Sequence, residues 1–144
     1  MSAGTILLVE DNPDDEMLAL RALKKAETLN TVVVVRDGEE ALEYIFGTGK
    51  FGGRDPEETP QVIFLDIKLP KVSGLEVLKS IRSDQRTSLI PIVLLTSSDE
   101  ERDMLDGYKL GANSYIHKPV DFDQFIDQVK ILGRYWLGIN KTPH

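Results

Sequence analysis

Apolar residues gather into short unbroken runs separated by stretches with helical spacing. Ile6-Leu7-Leu8-Val9, Val32-Val33-Val34-Val35, Val62-Ile63-Phe64-Leu65 and Ile92-Val93-Leu94-Leu95 are the runs. A strand with one wet face alternates apolar and polar side chains, so unbroken runs predict strands covered on both faces, as in a parallel sheet. Ser114-Tyr115-Ile116 is shorter and more polar, which suits an edge strand.

The intervening stretches carry helix-start signals. Asn12-Pro13 sets a capping residue before a proline at the first helical position, and the helix it opens places Ala19, Leu20, Leu23 and Ala26 on one face. Asp37-Gly38-Glu39-Glu40, Ser73-Gly74-Leu75-Glu76 and Ser98-Asp99-Glu100-Glu101 each pair a capping residue with a glutamate three positions later. A last helix is predicted from Asp121, burying Phe122, Ile126 and Val129, and Gly111 is placed to end the helix before the fifth strand. The longest connection runs from Gly47 to Pro60 with Gly49, Gly52 and Gly53 inside it, and reads as a mobile surface loop. The order is βαβαβαβαβα. Right-handed crossovers make this an α/β fold with a doubly wound, five-stranded parallel sheet and helices on both faces.

Composition narrows the class. The chain has 144 residues, 41% of them hydrophobic, which suits one domain with its own core. It has no Cys, which removes disulfides, thiolate metal sites and cysteine nucleophiles. The apolar runs are far shorter than the roughly 20 residues of a membrane helix. The N-terminus lacks the basic region and long apolar stretch of a signal peptide, so a cytoplasmic protein is expected. A net charge of −7 argues against direct nucleic-acid binding, which draws on clustered Lys and Arg.

In such a sheet, ligands bind outside the carboxyl ends of the strands. Those ends carry Glu10-Asp11, Asp66, Thr96-Ser97 and Lys118-Pro119. Taken singly, each has a bland reading. Glu10-Asp11 can complement a helix dipole, Asp66 can serve a turn, Thr96 can end a strand, and Lys118 can be a solvated lysine. Their shared placement at one sheet edge points to a site. Three neighbouring carboxylates require a counter-charge, and Mg²⁺ supplies it through hard oxygen ligands. Lys118 adds a positive charge and Thr96 a hydroxyl donor. Phosphoryl transfer is mostly positioning and electrostatic stabilisation, and a carboxylate can be its nucleophile.

From about Thr5 to Gly133 the chain resembles a bacterial two-component response-regulator receiver domain. The resemblance rests on Ile6-Leu7-Leu8-Val9-Glu10-Asp11-Asn12, Leu65-Asp66-Ile67-Lys68-Leu69-Pro70 with Gly74, Leu95-Thr96-Ser97, and Lys118-Pro119. It implies a flavodoxin-like sheet of order 2-1-3-4-5, with Asp66 as phosphoacceptor. Asp11 would bind Mg²⁺ directly, Glu10 mostly through water, and Lys68 through its backbone carbonyl. Thr96 and Lys118 would contact phosphoryl oxygens. Tyr115 matches the switch aromatic that turns inward when Thr96 moves, and the Lys118–Pro119 bond is expected to be cis. A sensor histidine kinase is the implied partner. Lys68 and Ser98 stand where smaller or different side chains are commoner, which bears on phosphorylation lifetime.

The long Gly47–Pro60 loop and the tail Tyr135-Trp136-Leu137 are similar to stand-alone regulators associated with bacterial phytochromes. The expected organisation is one receiver domain over 1–144, with a core over about 5–133, an extension over 134–144 and no output domain. A homodimer is expected through the last helices and the tail residues Tyr135, Trp136, Leu137 and Ile139. Three other readings compete with this one. A flavin or nucleotide enzyme would need an anion cradle where the chain has Glu10-Asp11-Asn12-Pro13-Asp14-Asp15. A Mg²⁺-dependent phosphatase would commonly place an acid at position 68, where Lys stands. A scaffold that is never phosphorylated would not need the full set of site residues.

Overall fold

A computed structural model describes residues 4–25, 31–96 and 101–117, with Asp123, Asp127 and Ile131 beyond them. The elements are β1 (Thr5–Val9), α1 (Pro13–Lys25), β2 (Thr31–Val35), α2 (Gly38–Phe46), β3 (Val62–Asp66), α3 (Gly74–Ser83), β4 (Ile92–Thr96), α4 (Glu101–Lys109) and β5 (Ser114–His117), with a 3₁₀ turn at Gly49–Phe51 between α2 and β3. All strand pairings are parallel and the order is β2-β1-β3-β4-β5. The doubly wound sheet expected from the unbroken runs is therefore present. The expected last helix from Asp121, with Phe122, Ile126 and Val129, lies outside the described residues; Asp123, Asp127 and Ile131 are helical and exposed.

Successive side chains of a strand point to opposite faces, so each run divides between two cores. Leu7, Val9, Ile63, Leu65, Ile92 and Leu94 pack with α2 and α3 residues including Ala41, Ile45, Val77, Leu78 and Ile81. Ile6, Leu8, Val62, Phe64, Val93 and Leu95 pack with Ala19, Ala22 and Leu23 of α1. The central strands β1 and β3 are buried almost throughout. β2 is an edge, as the expected order requires, and its Val32, Val33 and Val34 are half-buried while packing against the two cores. An apolar run reports covered faces but not whether a strand has a neighbour on both sides.

The caps are as the sequence predicts. Asn12 Oδ1 accepts from the amides of Asp14 and Asp15 at 2.9 and 3.2 Å. Asp37 Oδ1 accepts from the Glu40 amide at 2.7 Å, and Ser73 Oγ from the Glu76 amide at 3.3 Å. Gly111 follows α4 with φ +101, a conformation that glycine adopts without penalty. The Ser98 cap lies outside the described residues. At the end of the sheet away from the strand carboxyl termini, Arg82 stitches three segments together. Its Nε donates to the Gly111 carbonyl at 2.9 Å, Nη1 to the Ser88 carbonyl at 3.0 Å, and Nη2 to Asn113 Oδ1 at 2.8 Å.

The Gly47–Pro60 connection is tied down, contrary to the expectation of a mobile loop. Arg54 Nη1 donates to the carbonyls of Tyr44 and Ile45 at 2.7 and 3.3 Å, and Nη2 to that of Glu58. Its guanidinium stacks 4.2 Å from the Tyr44 ring centre, and Phe51 meets the same ring edge-on at 5.1 Å. Glycine content predicted freedom, while one arginine satisfying the orphan carbonyls at the end of α2 removes it. Arg54→Ala is expected to cost about 1–3 kcal/mol, the worth of hydrogen bonds from a charged donor. Urea unfolding measures that loss, and limited proteolysis should cut faster between Gly47 and Pro60. Among the described residues no helix is long and apolar enough to cross a membrane.

Candidate functional site

Strand register builds the site. Val9 pairs with Leu65, so the next residues, Glu10 and Asp66, stand side by side at the carboxyl ends of β1 and β3. This is the crevice where the strand order reverses, from β1 outward to β2 on one side and through β3 on the other. Glu10 and Asp66 are buried, only 1% and 5% exposed, while Asp11 is exposed. One carboxylate oxygen from each of the three lies within 4.8 Å of the others. Such a cluster of hard, anionic oxygens, open to solvent on the Asp11 side, fits a divalent cation of the Mg²⁺ type that keeps some of its waters.

Backbone amides orient the carboxylates. The Lys68 amide donates to Asp66 Oδ1 at 3.0 Å, and the Asn12 amide to Glu10 Oε1 at 3.2 Å. The Glu10 amide itself continues the sheet by donating to the Val35 carbonyl at 3.0 Å. Lys68 thus meets Asp66 through its backbone amide, while its side chain is exposed. Asp66 pairs with Leu95, which leaves Thr96 as the following residue of β4, and Thr96 pairs with His117, the last residue of β5. Lys118 and Pro119, with the peptide bond between them, lie outside the described residues, and so does the side chain of Thr96. Tyr115 is half-buried, its ring 6.5 Å from that of Tyr108.

Two glycines permit the close packing under the site. A Cβ on Gly74 would lie 2.0 Å from the Asp66 carbonyl oxygen, and one on Gly38 would lie 1.9 Å from the Val72 carbonyl oxygen. Gly74 also donates to the Ile67 carbonyl at 2.8 Å, closing the loop that follows Asp66. The reason for Gly38 was not read from the sequence, although a signal was there. Each glycine stands at the first helical position just after its cap, where its propensity cost needs a reason.

The loop also holds an unforeseen outlier. Lys71 has φ +67, alone among the described non-glycine residues, and the Val72 amide donates across it to the Pro70 carbonyl at 2.8 Å. That is a positive-φ γ-turn, rare and strained, and such a backbone costs on the order of 1–3 kcal/mol.

A doubly wound α/β domain with a carboxylate cation site at its switch point is the class that fold and geometry define. The sequence pattern of the response regulator receiver domain matches residues 6–130, and the chain belongs to that family. It is 39% identical to the probable methanogenesis regulatory protein FilR2 of Methanothrix harundinacea over 96% of this chain and 86% of that protein. The crystal structure of the phosphorylated cyanobacterial phytochrome response regulator RcpA superposes with a TM-score of 0.90 at 37% identity, covering 99% of each chain. The Mn²⁺-bound form of the response regulator Rcp1 superposes with a TM-score of 0.90 at 31% identity, covering 98% of this chain and 99% of that one. Response regulator Rcp1 is a protein of Synechocystis. The chain is thus a two-component response-regulator homologue, close to the phytochrome response regulators, and Mg²⁺ is the cofactor its acidic cluster suits.

Asp11→Ala should weaken Mg²⁺ binding at least about tenfold, since it removes the most exposed of the three clustered carboxylates. Gly74→Ala should destabilise the fold by about 1–3 kcal/mol, as overpacking against backbone does, because its Cβ would strike the Asp66 carbonyl. Calorimetric titration checks the first expectation and thermal unfolding the second.

Proposed function

We propose that Asp66 accepts a phosphoryl group from a sensor histidine kinase, with Glu10 and Asp11 holding Mg²⁺ beside it. One observation carries this reading. Asp66 is buried, oriented by the Lys68 amide, and within 4.8 Å of two further carboxylates at the switch point. A buried carboxylate amid other negative charges gains most from a cation, and bound Mg²⁺ would supply the charge that lets a phosphoryl group approach. An Asp66 carboxylate oxygen attacks phosphorus, the new O–P bond forms, and the P–N bond to the donor imidazole breaks. The imidazole leaves as the neutral base once it takes up a proton. The Lys68 backbone carbonyl serves as a further ligand, and Thr96 and Lys118 hold the phosphoryl oxygens.

The reaction ends on the protein itself, so no separate substrate is turned over. A phytochrome-type kinase is the finer reading, supported by the likeness to RcpA along almost the whole chain. Asp66→Asn should abolish acid-stable, base-labile phosphorylation from a phosphohistidine donor or from acetyl phosphate. Undiminished label on that variant would refute the assignment.

The switched surface is α4, β5 and the last helix, reached from Thr96 through Tyr115. Phosphorylation shifts the population between two arrangements of this face and creates no new fold. Leu105 and Tyr108 of α4 are about half exposed, and Ile131 is 65% exposed. Large apolar groups left in water favour a contact surface. Two-fold self-association through this face and the tail is the proposed output, with no direct contact to nucleic acid. The tail residues Tyr135, Trp136, Leu137 and Ile139 lie outside the described residues. Truncation after Gly133 should move the protein towards monomer without unfolding it. Sedimentation of the full chain as a monomer at high concentration, with and without beryllofluoride, would rule the dimer out.

A further inference from the structure

Lys71 sits at the centre of the strained turn between Asp66 and α3, where glycine would be comfortable. Its side chain must therefore be understood from what it touches. The ammonium lies 3.7 Å from Asp37 Oδ2 and 3.7 Å from Glu39 Oε2, both at the start of α2. Other ties join the same two segments. The Gly38 amide donates to the Pro70 carbonyl at 3.3 Å, the carbonyl that also closes the γ-turn. The missing Cβ of Gly38 leaves room for the Val72 carbonyl. Leu69 and Val72 pack, partly buried, against the core that α2 and α3 share.

We propose that Lys71 is a positioning residue. By tying the loop to α2 it holds the Lys68 amide on Asp66 Oδ1, and so sets the orientation of the carboxylate that meets the cation. The proposal rests on the reading of Asp66 given above. The loop is closed at its far end by the Gly74 amide on the Ile67 carbonyl, and the Lys68 amide leans on Asp66 between these two anchors. Backbone contacts hold the loop near α2, and the ammonium holds the turn in its positive-φ state against the relaxation its strain favours. Lys71 is 60% exposed, so salt screens its two ion pairs and the effect depends on ionic strength. Asp37 divides its work between two oxygens. Oδ1 caps α2 and Oδ2 faces Lys71, so Asp37→Asn keeps the cap while removing the charge.

The test uses the whole chain, with Mn²⁺ as the probe and the Lys68 amide resonance as a metal-free readout. Lys71→Gln keeps the Cβ strain of the turn and removes only the charge, and it should move that amide proton upfield, away from the position of an amide bonded to a carboxylate. It should weaken Mn²⁺ binding about three- to tenfold at low ionic strength and much less at high salt. Lys71→Arg, which keeps the charge, should preserve both. The double variant Asp37→Asn/Glu39→Gln should reproduce the glutamine result and serves as the deciding variant if Lys71→Gln fails to fold. An unmoved Lys68 resonance with unchanged Mn²⁺ affinity in the glutamine variant overturns the proposal, as does an arginine variant that behaves like glutamine. Asp11→Ala separates the two levels. If Mn²⁺ binding ignores Asp11, the reading of the site itself is wrong. If it responds to Asp11 but not to Lys71, only the positioning role falls.

Discussion

Mutual repulsion among Glu10, Asp11 and Asp66 is the constraint around which the molecule is arranged. Two unit charges about 4 Å apart repel by about 4 kcal/mol at an effective dielectric of 20. Side chains free to rotate would simply separate. Here Glu10 and Asp66 cannot, because each continues a buried central strand whose register is held by ladder hydrogen bonds and by two packed cores. The stability of the fold is spent in part on keeping like charges together, and a cation is the natural complement of that arrangement. Asp11, one residue further on and exposed, leaves the ion a way in and out.

The same constraint explains the crowding beneath the site. Orienting Asp66 by the Lys68 amide requires the chain to turn back at once after β3, under the start of α3 and against the start of α2. Any side chain at Gly74 or Gly38 would strike backbone oxygens that have no room to move. The strained Lys71 turn belongs to this compression. Backbone strain near a site persists only where the surroundings over-determine it, and here two helix starts and a core do so. The opposite end of the sheet is different in character. There Arg82 donates to the Ser88 and Gly111 carbonyls and to the Asn113 side chain, burial pulls its pKa below the ordinary guanidinium value, and the one carboxylate cluster among the described residues lies at the other end. One end is built for rigidity and the other for an ion.

The connection between α2 and β3 shows how a single side chain can reverse a compositional expectation. Four glycines between Gly47 and Gly53 lower the cost of many backbone shapes, which is why the segment read as mobile. Arg54 chooses one of those shapes by donating to the last carbonyls of α2 and stacking on Tyr44. Glycine permitted the path, and the distant arginine selected it.

Local chemistry is what the sequence determined by itself. Four unbroken apolar runs marked β1 to β4 and a shorter, more polar one marked β5, cap and glutamate pairs marked α2 and α3, and the residues following the runs marked Glu10, Asp11, Asp66 and Thr96 as a group. Those signals are legible because they depend on spacing within a few residues. Tertiary structure alone decided the rest. It left Val32, Val33 and Val34 of β2 only half-buried although they stand in an unbroken apolar run. It required glycine at 38 because a carbonyl 34 residues away in the chain, that of Val72, comes within about van der Waals reach. It also set Lys71 in a strained turn against Asp37 and Glu39. Each of these follows from contacts between segments far apart in sequence, and no local pattern encodes which distant backbone atom will arrive at a given residue.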